Sequence, residues 1–96
     1  LREITNSPKI KSKPEKLASV YRELTLAYEL TGAWNQYEKV KKNAIALFEE
    51  IGDNERQAIE QMELTGLLLK ELRLKEAVDT IEQAEKNVEP SENKVL

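Results

Sequence analysis

The sequence predicts an all-α fold in which two antiparallel helix pairs stack on each other. Apolar residues recur at the i, i+3, i+4 and i+7 spacing of a helix face over most of the chain. Only three glycines and three prolines are present, so long helices can form. The chain also lines up with itself after a shift of about forty residues, which is typical of helical repeats.

The first helix is predicted over residues 15–31. Pro14 suits its first turn, where a missing N–H costs nothing, and Gly32 suits its end. Residues 1–14 show no clear period, so we expect an extended or flexible N-terminal arm there. The apolar face of this helix consists of Leu17, Val20, Tyr21, Leu24 and Tyr28.

The second and third helices are predicted over residues 34–51 and 54–71. Gly52 terminates the second helix, and Asp53 caps the third because its carboxylate can accept from free backbone N–H groups. The third helix is apolar over a wide arc, which indicates contacts with neighbours on two sides.

The fourth helix is predicted over residues 74–88 and has the narrowest apolar face. Pro90 is expected to end it, because proline removes a backbone donor and clashes with the preceding turn. Residues 91–96 then form a flexible C-terminal tail. These assignments give one helical domain over residues 15–90, made of the helix pairs 15–51 and 54–89.

The two helix pairs have similar sequences. In the shifted alignment Ala18 matches Ala58, and Ala44 matches Ala84. Identity also extends to the tripeptides Glu23-Leu24-Thr25 and Glu63-Leu64-Thr65. Apolar character is kept between Tyr28 and Leu68, Trp34 and Leu74, Tyr37 and Ala77, and Phe48 and Val88.

This placement of small and large residues resembles the tetratricopeptide repeat, a helix, a tight turn and an antiparallel helix. The motif positions of the second unit are held by Leu64, Thr65, Leu68, Leu74, Ala77, Ile81, Ala84 and Pro90, and those of the first by Leu24, Thr25, Tyr28, Gly32, Trp34 and Ala44. The repeat is about forty residues long, against about thirty-four in most of the family. It resembles the longer variant found in kinesin light chains, spindle-orientation scaffolds and bacterial peptide-sensing regulators.

The sequence departs from the family pattern at three positions. Leu72 stands where the family usually has glycine, Tyr37 where it has alanine, and Lys41 where it has a large apolar residue. HEAT-like packing or a plain four-helix arrangement is therefore the alternative architecture.

Composition argues against several classes of function. The chain contains no cysteine and no histidine, which removes thiolate chemistry, the commonest general base and the commonest metal ligand. We expect no enzymatic activity, no cofactor and no metal. The net charge is −3 with no basic stripe, so nucleic acid is not an expected partner. No apolar run is long enough for a membrane span, and the lack of cysteine fits a cytoplasmic location.

The resemblance implies a binding groove on one flank of the first and third helices. The candidate groove residues are Arg22, Leu26, Glu29, Ile59, Met62 and Leu69. Methionine favours adaptable binding surfaces because it is flexible and polarizable. The alternative is that this flank packs against the first helix pair. Trp34 fits a core position better than a binding hot spot, and Glu49 and Glu50 are expected to face solvent.

The leading hypothesis is a protein–protein interaction module or scaffold that binds a peptide or helix of a partner protein. One alternative is a fragment of a peptide-sensing regulatory domain, which an asparagine on the groove flank would favour. The other alternative is a helical self-association domain.

Two repeats leave the outer faces of a stack uncovered, because such arrays usually need about three units. Ile51, Leu67 and Val88 are expected to be partly exposed. We therefore predict that the chain docks a further repeat, a second copy or a partner helix. The alternative is that the N-terminal arm folds back and covers the gap with Ile4 and Ile10.

Overall fold

The computed structural model describes the backbone of residues 2–95 and the side chains of residues 13–88. Its four helices are α1 (Arg2–Thr31), α2 (Trp34–Glu50), α3 (Asn54–Lys70) and α4 (Leu74–Val95). The described backbone contains no strand, and each helix packs against the next one in the chain. Because the turns are only two or three residues long, consecutive helices run antiparallel. The all-α prediction is confirmed.

The outer ends of α1 and α4 differ from the sequence-based bounds. The first helix begins at Arg2 rather than near residue 15, and the fourth ends at Val95 rather than near residue 88. Both Pro14 and Pro90 therefore lie inside helices. A proline inside a helix removes one backbone donor and crowds the carbonyl four residues earlier, so both positions cost helix stability although the φ of proline is compatible with a helix. The side chains of the proposed arm, including Ile4 and Ile10, lie outside those that the structure describes.

All three turns share one geometry at the end of the preceding helix. Gly32 and Gly52 have φ of 75° and 76°, as expected for helix-terminating glycines, and Leu72 has φ of 61°. In the α2–α3 turn the N–H of Asp53 donates to the carbonyl of Phe48 over 2.9 Å. The equivalent bonds close the other turns, which makes each a Schellman motif. The Asp53 cap is also confirmed, since its carboxylate accepts from the backbone N–H of Arg56 over 3.1 Å.

The core lies where α2, α3 and α4 meet. Leu64 and Leu68 of α3 pack with Ala77 of α4, and Ile45 of α2 covers them. Ala44 and Ala84, the predicted small residues, are buried. Leu67 is only 5% exposed, so the expectation that it is partly exposed was wrong. The partial exposure of Ile51 and Val88 is confirmed.

The burial of Leu67 follows from the orientation of α3. Glu63 and Lys70 lie one turn before and after it, and both contact side chains of α2. Leu67 therefore shares the helix face that packs against α2, and the third helix is enclosed on two sides as its wide apolar arc predicts.

Polar contacts accompany the apolar core at the junction of α2 and α3. Arg73, in the turn between α3 and α4, binds Glu38 of α2 through two hydrogen bonds of 2.7 and 2.8 Å. The Nζ of Lys41 lies 2.8 Å from Glu60 and also contacts Glu63. At the α3–α4 contact, the buried amide of Gln61 accepts from the Asn87 amide over 2.8 Å. These residues fix the register of neighbouring helices.

Candidate partner-binding groove

The six candidate groove residues are all exposed. Leu26 projects from α1, and Ile59, Met62 and Leu69 project from α3, each with about half of its surface accessible, while Arg22 and Glu29 are exposed charged residues of α1. Ile59, Met62 and Leu69 are therefore not buried against the first helix pair. Their role in binding stays a prediction.

A cleft of about 410 Å³ separates α1 from α3. In the described part of the chain, the backbone of α1 approaches that of α2 but not that of α3. Side chains of α2 are consequently left at the base of the space between them. Ala44 and Phe48 line the cleft from α2, Arg22 lines it from α1, and Ile59 lines it from α3. The structure thus brings together two of the six predicted residues.

An arginine closes one end of this cleft. The guanidinium of Arg56 in α3 donates to the carboxylate of Glu15 in α1 over 2.7 and 3.2 Å. The same group donates to Asp53 over 2.6 Å and lies 4.6 Å from the centroid of the Phe48 ring. Hydrogen bonds from Arg56 hold the pKa of Glu15 and the pKa of Asp53 below their usual values. Both carboxylates are therefore ionised at neutral pH, and the cleft has fixed charges of both signs.

Met62 lines a second cleft, of about 360 Å³, between α3 and α4. Its other lining residues are Ala58, Ile81, Ala84, Glu85 and Val88. The predicted groove is therefore divided by α3, because Ile59 faces α1 and Met62 faces α4. The six predicted residues therefore do not line a single groove.

The exposed flank of α3 carries an apolar strip, which we call the α3 ridge: Ile59, Met62, Gly66 and Leu69. Gly66 lies mid-helix, and a Cβ added there would meet nothing within 4 Å. The packing of the fold therefore does not require glycine at this position, although glycine costs a helix about 1 kcal/mol relative to alanine. The ridge has a gap in its side chains between Met62 and Leu69.

The sequence pattern does not place Arg56, Glu15 or Glu60 at the cleft between α1 and α3. The only local signal is the spacing of Asp53 and Arg56 across the start of α3. Glu15 is 41 positions away from Arg56 in the chain, so only the folded structure brings the two together.

The structure also places Trp34, Glu49 and Glu50, the other residues singled out in the sequence. Trp34 is partly buried, packs edge-on against Tyr37 at 5.4 Å, and lies under the Lys70 ammonium at 5.0 Å. Glu49 and Glu50 are exposed, as predicted.

Within the part of the chain that the structure describes, no helix combines the length and apolar character needed to cross a bilayer. Comparison with protein-family models, with curated proteins and with solved structures finds no match to this chain. The helices, the two clefts and the α3 ridge are therefore the observations on which a functional proposal depends.

Proposed function

We propose that this chain is a protein–protein interaction module that binds a peptide or helix of a partner protein along the α3 ridge. The observation that carries the proposal is the α3 ridge. Ile59, Met62 and Leu69 each expose about half of their surface on one helix flank. Burying such side chains against a partner contributes about 25 cal/mol per Å² of apolar surface removed from water.

The surroundings of the ridge favour an amphipathic segment as the partner. The α1–α3 cleft presents Arg22, Arg56, Glu23 and Glu60 around an apolar floor. A helix that places apolar residues at i, i+3 and i+7 on the ridge can direct charged residues to this rim. Mixed charge on the rim favours orientation and specificity over a simple attraction between opposite net charges.

We further propose that the chain is a pair of long tetratricopeptide-type repeats. Supporting this assignment, Ala44 and Ala84, which lie forty residues apart at equivalent positions of the repeat, are both buried. In such arrays helix pairs present a continuous binding face, which fits a scaffold role.

A peptide library displayed on phage and selected on the immobilised chain tests the binding proposal. Titration calorimetry then measures the affinity of a selected peptide for the parent chain and for single variants. We expect Ile59→Glu and Met62→Glu to weaken binding about tenfold or more, since each places a charge in the apolar contact. Leu72→Glu is the matched control, because Leu72 is an exposed leucine of the α3–α4 turn and lies outside the ridge. Equal affinities in all four proteins would contradict the proposal.

A further inference from the structure

The internal repeat relates the buried junction between the two helix pairs to two exposed surfaces of the chain. We call the contact of α2 with α3 and the following turn the inner junction. Shifting α2 forward by forty residues gives the α4 face: Leu74, Val78, Ile81 and Val88. Shifting α3 and the turn after it back by forty residues gives the α1 face: Lys16, Val20, Leu30 and Ala33.

Several contacts of the inner junction are made by charged groups. Lys41 binds Glu60 at 2.8 Å, and Glu38 binds Arg73 at 2.7 Å. The cations of Lys70 and Arg56 lie over the rings of Trp34 and Phe48, at 5.0 and 4.6 Å from their centroids. Every one of these contacts joins the first helix pair to the second.

At several of these positions the α4 and α1 faces carry apolar residues on both sides, while Lys16 and Glu23 keep the charges of Arg56 and Glu63. Ile81 and Val20 take the places of Lys41 and Glu60. Val78 and Ala33 take the places of Glu38 and Arg73. Leu74 and Leu30 take the places of Trp34 and Lys70, and Val88 and Lys16 take those of Phe48 and Arg56.

A change on only one side would leave a charge facing an apolar surface, at a cost in free energy. Here the Lys41–Glu60 and Glu38–Arg73 pairs become the apolar pairs Ile81–Val20 and Val78–Ala33, so the two faces are complementary at these positions. Neither face complements itself as closely, because the equivalents of α2 lie only on α4 and the equivalents of α3 lie only on α1.

Both faces are accessible in the structure. The exposed fractions are 50% for Val20 and 77% for Leu30 on α1, and 55% for Leu74 and 38% for Ile81 on α4. Leu67 is 5% exposed at the inner junction, whereas Ala27, its counterpart on α1, is exposed. The positions at which α2 and α3 bury each other are therefore exposed at the equivalent positions of α4 and α1.

We propose that a second copy of this chain docks its α1 face on the α4 face of the first, in the arrangement that α3 adopts on α2. Ile81 of one copy then contacts Val20 of the next, and Leu74 contacts Leu30. The contact joins two different surfaces, so each added copy leaves one free face of each kind. Such a head-to-tail contact builds open chains unless its rotation closes a ring.

Sedimentation of the parent chain over a range of concentrations tests this arrangement. The parent is expected to form dimers and longer species as its concentration rises. Ile81→Lys and Val20→Glu are each expected to weaken this association about tenfold or more, because each sets a charge against an apolar side chain.

A mixture of these two variants is the decisive measurement. Lys at position 81 of one variant faces Glu at position 20 of the other, which recreates the Lys41–Glu60 pair of the inner junction. The remaining contact, between Ile81 and Val20, is unchanged. We therefore expect the mixture to recover association that neither variant shows alone.

Leu26→Lys is the matched control, since Leu26 is 51% exposed on a different flank of α1. It is expected to sediment like the parent. Circular dichroism establishes that each variant is folded, and the Leu74→Lys and Leu30→Glu pair repeats the test if either first variant is not.

Three results would overturn the proposal. A parent chain that stays monomeric up to its solubility limit has no such contact. Loss of association in Ile81→Lys with full association in Val20→Glu would indicate an α4–α4 dimer instead. A mixture that associates no better than its separate components would show that the two faces do not meet.

Discussion

The Nζ of Lys41 in α2 lies 2.8 Å from Oε1 of Glu60 in α3, and it also contacts Glu63. Lys41 is 2% exposed, whereas both carboxylates retain access to solvent. Burial acts to lower the pKa of Lys41, but the hydrogen bonds and charges of Glu60 and Glu63 outweigh it. The net effect raises the pKa, so the buried ammonium is charged at neutral pH.

The two sides of this ion pair are expected to respond differently to mutation. Replacing Lys41 by Met removes the buried charge and returns Glu60 and Glu63 to solvent, so stability is expected to stay equal or to increase. Replacing both glutamates by Ala leaves a buried ammonium without its partners, which costs roughly 3–5 kcal/mol. Urea unfolding at neutral pH measures both changes. A Lys41→Met variant that loses as much stability as the glutamate double variant would contradict this account.

Glu38 makes stability depend on pH in the acid range. Hydrogen bonds from Arg73 lower the pKa of Glu38 from 4.5 to about 2, against the opposing effect of burial. A carboxyl whose pKa falls on folding stabilises the folded state above its unfolded pKa. That stabilisation is lost as the pH falls from about 4.5 towards 2.

Glu38→Gln is expected to reduce this dependence, because the amide does not titrate. Unfolding midpoints in urea, measured from pH 6 to pH 2 in steps of about 0.5 units, give the two profiles. Glu49→Gln is the control, since Glu49 is exposed on the same helix. Parallel acid profiles for the parent and Glu38→Gln would show that the Arg73 contact contributes nothing.

Leu72 is expected to be replaceable by Gly with a gain in stability. Its φ of 61° lies in the left-handed region, which costs an L-residue roughly 1–2 kcal/mol. The side chain is 77% exposed, so its removal loses little packing. Part of the gain is offset by the greater freedom of glycine in the unfolded chain, which leaves about 0.5–1 kcal/mol.

Replacing the glycine at the equivalent turn is the control for Leu72. A Cβ at Gly32 would come no closer than 4.0 Å to Trp34, so Gly32→Ala adds backbone strain without a clash. We expect it to destabilise the fold by roughly 1 kcal/mol. Urea unfolding measures the stability of each variant relative to the parent. If the two substitutions do not change stability in opposite directions, backbone strain at these positions is not the cause.

Gly66→Ala is expected to separate stability from binding. Alanine in the middle of α3 increases stability by about 0.5–1 kcal/mol, because the added methyl group meets open space. If a partner approaches the α3 ridge at its gap, the same methyl group weakens the affinity for a selected peptide. Thermal unfolding and titration calorimetry measure the two effects. An unchanged affinity would place the bound segment away from Gly66.

The local features of the fold were predictable because short-range chemistry determines them. Asp53 precedes a run of free backbone N–H groups, and its short carboxylate reaches the N–H of Arg56. Gly32 and Gly52 adopt positive φ, which glycine does at no steric cost. Hydrophobic periodicity between these signals gave the inner bounds of all four helices to within a residue. The predicted outer ends are wrong because proline ordinarily marks a helix boundary, whereas Pro14 and Pro90 lie inside helices.

The candidate groove was predicted only in part. The resemblance to the tetratricopeptide repeat implied an accessible flank of α3 that carries Ile59, Met62 and Leu69, and all three side chains are exposed. It did not show that Ile59 faces the cleft with α1 while Met62 faces α4. That division depends on the distance and rotation between helices, which side chains from separate helices set together.

The sequence by itself determined the helix class, the turns and the forty-residue repeat, since each depends on residues close together in the chain. Only the tertiary structure decided which side of α3 is enclosed, and with it the burial of Leu67. It also brought Glu15 to Arg56 and enclosed Lys41 between α2 and two carboxylates of α3. A lysine in a helical pattern is ordinarily assigned to solvent, and its burial became favourable here only because a neighbouring helix supplies opposite charge.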